Sequence, residues 1–270
     1  MSIPDLRALL GGAATTADAM LAEAKSDRSR LPVLFPSLPR RCGRDMVRGG
    51  RKKFGPATVD LDAFRQCDLV AAFLLLSLGT TEVEAMDLYA HGDIEERAML
   101  LRALHFLPVG PLTVRLFGEV QRTNVVLHLE AALCDGDLFS RTVGQPGFDL
   151  GAANRLLLKF AFLDVPLRRC YDAERHANAE LSRMLQDLAT EREAAGRAVW
   201  RDTWRVIGRA PCPGTLARLV GGLEHGDDGV RLAAAEGLLA ADRKDLAAFA
   251  RERLPREPRE TIQAVLRRLA

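Results

Sequence analysis

Residues 227–240 read DDGVRLAAAEGLLA, and they have a counterpart 134 positions upstream. His225-Gly226-Asp227 followed by Arg231 and Leu238 is matched by His91-Gly92-Asp93 followed by Arg97 and Leu104. In the upstream copy, Asp93 with Glu96 three residues later has the form of a capping box: the Asp carboxylate accepts from an early helical amide and the Glu reaches back to the cap. The spacing predicts a helix from Asp93 to about Phe106, stopped by Pro108. Apolar residues recur at helical intervals in the neighbouring segments, Leu61, Phe64, Leu69, Phe73 and Leu76, then Met99, Leu100, Ala103, Leu104 and Leu107. Ala, Leu and Arg dominate the 270 residues while aromatics make up only 6%, so helix formers prevail and strand formers are scarce. An all-α protein with a proper core is the expected class.

The downstream copy resembles the second helix of a HEAT repeat, in which an Asp caps the helix, Val and Arg follow, and small Ala residues let a neighbouring helix approach closely. Candidate helices flank it at Gly214 to Leu223, Arg243 to Arg253 and Arg259 to Leu269. Helix pairs of this kind cannot bury their apolar faces alone and stack on neighbours. The expected architecture is therefore an α-solenoid, a HEAT-like stack of antiparallel helix pairs, with a compact helical bundle as the alternative. Pro211, Cys212, Pro213 and Gly214 interrupt the helical pattern. They place an expected boundary there: residues 1–208 as one helical domain, and 209–270 as C-terminal HEAT-like helices docked on it, since the linker is short.

The formal charge of +2, from 38 basic and 36 acidic residues, argues against a surface built wholly for nucleic acid. Locally the balance fails. Arg28, Arg30, Arg40, Arg41, Arg44, Arg48, Arg51, Lys52 and Lys53 stand against the single acid Asp45, in a run broken by Pro32, Pro36, Pro39, Gly49 and Gly50. The run reads as a loop that attracts anions: a solvated connection, or a contact for a phosphate-bearing ligand, an anionic membrane surface or a partner protein.

The five cysteines are far apart with no CxxC pair, as expected of buried reduced thiols in a cytosolic protein. The amino terminus, MSIPDLRALLGGAATT, carries Asp5 and Arg7 and has no continuous apolar stretch, unlike a secretory signal. The longest apolar run, Leu69 to Leu78, falls well short of the roughly 20 residues a bilayer requires. A cytoplasmic protein with at most peripheral membrane contact is expected.

Four stretches follow one another along the chain: LFPSLPRRCGR at Leu34 to Arg44, YAHGDIEERAMLLRALHFLP at Tyr89 to Pro108, QRTNVVLHLEAAL at Gln121 to Leu133, and the long stretch from Asn154 to Gly208. In that order they resemble the EboA family, components of bacterial ebo clusters described as metabolite traffic proteins. Two places depart from the family pattern: the apolar Val125, Val126 and Leu127 after Asn124, and Gly151-Ala152-Ala153 before Asn154. The resemblance implies a helical adaptor or carrier that helps deliver a secondary-metabolite intermediate toward the inner membrane for export. It also implies protein partners from the same pathway, such as a membrane prenyltransferase and metal-dependent hydrolases.

The candidate binding residues are few. Arg40, Arg41 and Arg44 can gather guanidinium groups that bond phosphate or carboxylate bidentately, or they can clamp the segment to the helices. Arg122 and Asn124 flank Thr123, where Thr123 or Asn124 suits a helix N-cap. In the functional reading, Arg122 and Asn124 face a groove beside Asn154 and Lys159, the polar residues that punctuate an otherwise apolar helix. Trp200 and Trp204 share a helix face as core packing or as a stacking platform for a ligand. No HExxH, Glu-x-x-His pair, Gly-x-Ser-x-Gly elbow, Walker A loop or dinucleotide fingerprint occurs. No catalytic residue, metal ligand or cofactor is therefore assigned. A HEAT-like nucleic-acid binder and an enzyme using Lys159, Tyr89 or His91 are the competing readings, and nucleic acid is disfavoured by the balanced charge.

Overall fold

The computed structural model describes residues 2–270 and is all-α apart from one hairpin, with sixteen α-helices among the described residues. The chain divides into two compact units, one reaching to Ala153 and including Arg168–Tyr171, the other made of Asn154–Leu167 and Asp172–Ala270. Gly208, where the sequence suggested a boundary, lies inside the second unit.

The first unit begins with α1 (Ile3–Leu9), α2 (Ala14–Ser26) and α3 (Leu31–Cys42). The hairpin of β1 (Arg51–Phe54) and β2 (Ala57–Asp60) follows, paired from Arg51 with Asp60 to Phe54 with Ala57. Then come α4 (Gln66–Leu78), α5 (Glu82–His91), α6 (Ile94–Ala103), α7 (Pro111–Arg122), α8 (Val126–Leu133) and α9 (Leu138–Thr142). Helix α4 is apolar apart from Asp68 over its buried length, and every residue from Cys67 to Leu75 is buried, which makes it the centre of this unit. Helices α1, α2, α3 and α6 all pack on it, and α8 packs on α6.

The basic run from Arg28 to Lys53 is not a loop throughout, because α3 and β1 occupy most of it. Two prolines inside α3, Pro36 and Pro39, cost about 3 kcal/mol each by removing helical hydrogen bonds. Leu31, Leu34, Phe35 and Leu38, spaced three, four and seven apart, are all at most 2% exposed. Burying four such side chains contributes roughly 6–12 kcal/mol, enough to offset the prolines. The helix ends at Gly43, whose φ of 88° lies outside what a side chain tolerates well.

Helix α10 (Leu150–Leu163) has its first four residues in the first unit and the remainder in the second. The second unit continues with α11 (Ala179–Ala194), α12 (Thr203–Arg209), α13 (Thr215–Gly222), α14 (Asp228–Ala240), α15 (Ala247–Arg253) and α16 (Glu260–Leu269). Helix α14 is its hub, packed by α12, α13 and α16. The approach of α12 is at backbone distance: a Cβ built on Gly208 would lie 2.0 Å from the Gly237 carbonyl oxygen. Ala233, Ala234 and Ala235 are buried on the same helix.

The two copies of the His-Gly-Asp pattern fold alike. Asp93 accepts from the Glu96 amide (2.8 Å) at the start of α6, and Asp227 accepts from the Val230 amide (3.0 Å) at the start of α14. Arg97 donates back to the Ala90 carbonyl (2.9 Å), and Arg231 to the carbonyls of His225 (2.9 Å) and Gly226 (3.1 Å). In each copy an Arg one turn into the helix ties down the chain that enters it. No described helix is long and apolar enough to cross a membrane.

Candidate functional site

In the second unit a groove of ≈ 950 Å³ is lined by residues from the end of α11 to the middle of α14. That volume falls at the upper end of the range of small-molecule sites. Its floor is apolar, with Val199, Val230, Ala233 and Trp204, whose side chain is almost wholly buried. Trp200 precedes α12, so the two tryptophans do not share a helix face, and it is anchored differently: its indole Nε1 donates to the Val165 carbonyl at 3.0 Å.

Arg218 crosses the groove under tight control. One guanidinium nitrogen donates to Thr190 Oγ1 (2.9 Å), another pairs with Glu193, and the group lies 5.5 Å from the Trp204 ring. Arg197 and Arg201 are exposed on the wall and make no ion pair with any described residue. The Asp227 carboxylate caps α14, and its own amide donates to His225 Nδ1 at 3.0 Å, which leaves the ring proton on Nε2. Three guanidinium groups thus face two carboxylates, one already spent on Arg218 and the other on a helix cap. The described lining offers apolar area and guanidinium donors for recognition.

In the first unit, Arg40 and Arg44 line a smaller depression of ≈ 300 Å³ together with Arg65, facing Asp93, Glu95 and Glu96. Arg65 is already committed, to buried Asp68 (3.1 Å) and to Glu95 (2.8 Å). Asp93 and Glu96 are tied into the cap of α6. Arg40 and Arg44 make no ion pair among the described residues, while Arg41 turns toward Glu23 at 3.6 Å. The expected arginine trio is therefore split, two around one notch and one elsewhere.

The EboA family model, described as metabolite traffic protein EboA, matches residues 51–208, more than half of the chain. The chain belongs to the EboA family. No curated protein and no solved structure matches it. The EboA match contains three of the four resembling stretches, while Leu34 to Arg44 precedes it. It also contains Trp204, Arg197 and Arg201, whereas Arg218 and the cap of α14 lie beyond it.

Within the EboA span the remaining candidates are placed as follows. Arg122, at the end of α7, is exposed and pairs with Glu119 at 2.5 Å, and Asn124 is exposed just beyond. Neither Thr123 nor Asn124 is the N-cap of α8. Val125 holds that position, and Thr123 ends α7 with its hydroxyl accepting the Val125 amide (3.2 Å), a short-range turn that forms before the helix begins. Asn154 is buried and exchanges two amide hydrogen bonds with Asn178, at 3.1 and 2.8 Å. Asn178 in turn caps α11 by accepting from the Leu181 amide (3.0 Å), so the Asn pair fixes where that helix starts. Lys159 is half-buried, and burial holds its ammonium below the ordinary lysine range. Among the described residues no disulfide joins the cysteines, of which three are buried and two, Cys42 and Cys212, half-buried. Among the described residues no three His, Cys, Asp or Glu side chains come together as metal ligands would.

The groove itself escaped the sequence reading, which weighed Trp200 and Trp204 as core packing or as a ligand-stacking platform without placing a groove beside them. One signal was present: Gly196, Gly221, Gly222 and Gly229 are scattered around Trp204 and all line the groove.

Proposed function

We propose that this chain is a non-enzymatic carrier or adaptor that holds a secondary-metabolite intermediate, hands it to protein partners of the same pathway and assists its export. The family match carries this reading, since metabolite traffic is the role attached to EboA as a whole. The groove supports the carrier form of it, because a body of ≈ 950 Å³ suits a small molecule. Helix pairs stacked as an α-solenoid would give the partners an extended concave surface.

The work takes place in the cytoplasm, with peripheral contact at the inner membrane through the basic residues of α3 and β1. Arg40, Arg41, Arg44 and the exposed Lys52 and Lys53 supply the charge for that contact. Arg122, Asn124 and Lys159 belong to the same proposed ligand- and partner-binding set, whereas the amide of Asn154 is taken up by Asn178. Native mass spectrometry of protein gently purified from its host tests the reading. A retained small molecule, or stoichiometric cluster-encoded partners, is the expected result; a chain that carries neither overturns it. Reversal of Arg40, Arg41 and Arg44 to Glu tests the membrane contact, through loss of sedimentation with vesicles containing phosphatidylglycerol. Unchanged sedimentation would refute that part.

A further inference from the structure

We infer that the groove of the second unit binds an organic anion: a small molecule with an extended apolar or aromatic body and one carboxylate, sulfonate or phosphate group. The inference rests on the carrier reading for its biological sense, but not for its physical argument.

Three observations carry it. The floor of Val199, Val230, Ala233 and the Trp204 ring is apolar and cannot satisfy a polar ligand along its length. The charge is unbalanced in the direction an anion requires. Glu193 is neutralised by Arg218, and Asp227 is engaged with the Val230 amide, whereas Arg197 and Arg201 have no acidic partner among the described residues. Arg218 is also held in place by Thr190 and Glu193 over the almost wholly buried Trp204 ring, so it lines the groove as a fixed donor edge.

The space is real in a second sense. A Cβ added at Gly221, on the groove wall at the end of α13, meets no atom within 4 Å, and its backbone is ordinary helix. A side chain grown from this position enters the groove without displacing protein. By contrast a Cβ on Gly222 would lie 2.8 Å from that of Ala234, so that glycine serves helix packing.

The probe is 8-anilinonaphthalene-1-sulfonate, compared with N-phenyl-1-naphthylamine, which has the same aromatic body without the sulfonate. Trp200 and Trp204 are the two tryptophans of the chain, so quenching and energy transfer from their emission report a ligand bound beside them. The expected result is saturable binding of the sulfonate at one per chain, at least tenfold tighter than the neutral analogue, with the advantage shrinking as salt is raised. Arg197→Gln with Arg201→Gln should remove that tenfold preference and leave the neutral probe unaffected. Gly221→Phe should abolish binding of both, with circular dichroism showing an unchanged fold. Binding that survives Gly221→Phe, or equal affinity for the two probes, overturns the inference. The outcome is separable from the carrier reading. A preparation that holds partners but no metabolite, yet binds the sulfonate in this groove, makes the chain a scaffold with an anion site. A metabolite retained by the Gly221→Phe variant keeps the carrier and sinks this groove.

Discussion

Acidification from pH 7 to pH 4 should destabilise the first unit through one residue, His105. The imidazole is wholly buried, with Nε2 3.2 Å from the Ala131 carbonyl oxygen and Nδ1 without a hydrogen-bond partner against the Gly136 backbone. The Phe64 ring stands edge-on at 5.4 Å. Burial, reinforced by the charge of Arg141, pushes the group down from 6.5 to about 4. In the folded chain His105 is therefore neutral where the unfolded chain would take a proton. The stability this contributes is complete above about pH 6.5 and is lost as pH falls through about 4. At roughly 1.4 kcal/mol per pH unit, the loss by pH 4 comes to about 3 kcal/mol, against a total of about 5–15 kcal/mol for a typical domain. The perturbation is His105→Gln, which keeps a donor for the Ala131 carbonyl and does not titrate. Guanidinium denaturation followed by circular dichroism at several pH values gives the stability of both proteins. The variant starts lower at pH 7 because of its altered packing, and only the change in the difference counts. That difference should shrink by about 3 kcal/mol on going to pH 4. Parallel pH profiles for the two proteins would refute the reasoning, since they would mean that the imidazole is charged in the folded state or hydrated.

Three further outcomes follow from the packing of the second unit and from the Arg28–Glu84 pair of the first. Glu257 is 2% exposed, and burial alone would raise its carboxyl, yet bonds from Arg231 (3.0 Å) and Arg253 (3.0 Å) and from the Arg259 amide (3.1 Å) hold it below the usual carboxylate range. Glu257→Ala leaves the buried Arg231 guanidinium without this partner and should cost about 3–5 kcal/mol in chemical denaturation; a loss under 1 kcal/mol would mean that water reaches the site. Gly208→Ala forces α12 away from α14 and should lower stability by about 1–3 kcal/mol, with a fall in Tm, whereas an unchanged Tm would deny the backbone contact. Glu84, drawn down to about 2 by its bonds to Arg28 and by the Thr81 cap, contributes stability that is present above about pH 4.5 and lost toward pH 2. Glu84→Gln should flatten that part of the acid profile.

The legible parts of this fold are those whose physics is local. The caps at Asp93 and Asp227 are written within four residues of each helix start, and the helices around 214–223 and 259–269 announce themselves by period alone. The helix α3 carried the same kind of signal in Leu31, Leu34, Phe35 and Leu38, but Pro36 and Pro39 read as breakers because their cost is local and the burial that offsets it is not. The Asn154–Asn178 pair shows the limit more sharply. The two amides are 24 residues apart, and nothing near Asn154 says that its partner is also the cap of another helix. A lone polar residue on an apolar helix invited a ligand, and the chain itself supplies the bond. The groove fails to appear in the sequence for the opposite reason: its lining comes from two runs, Thr190 to Trp204 and Arg218 to Ala233, and no motif joins them. What does separate its arginines is a question of partners. Arg218 pairs with Glu193, so its charge is spent, while Arg197 and Arg201, which follow the end of α11, make no ion pair among the described residues. An unspent guanidinium pair beside buried indole is the feature to which a binding experiment should be directed first, and no reading of the basic run at Arg28 to Lys53, however dense in charge, predicts it.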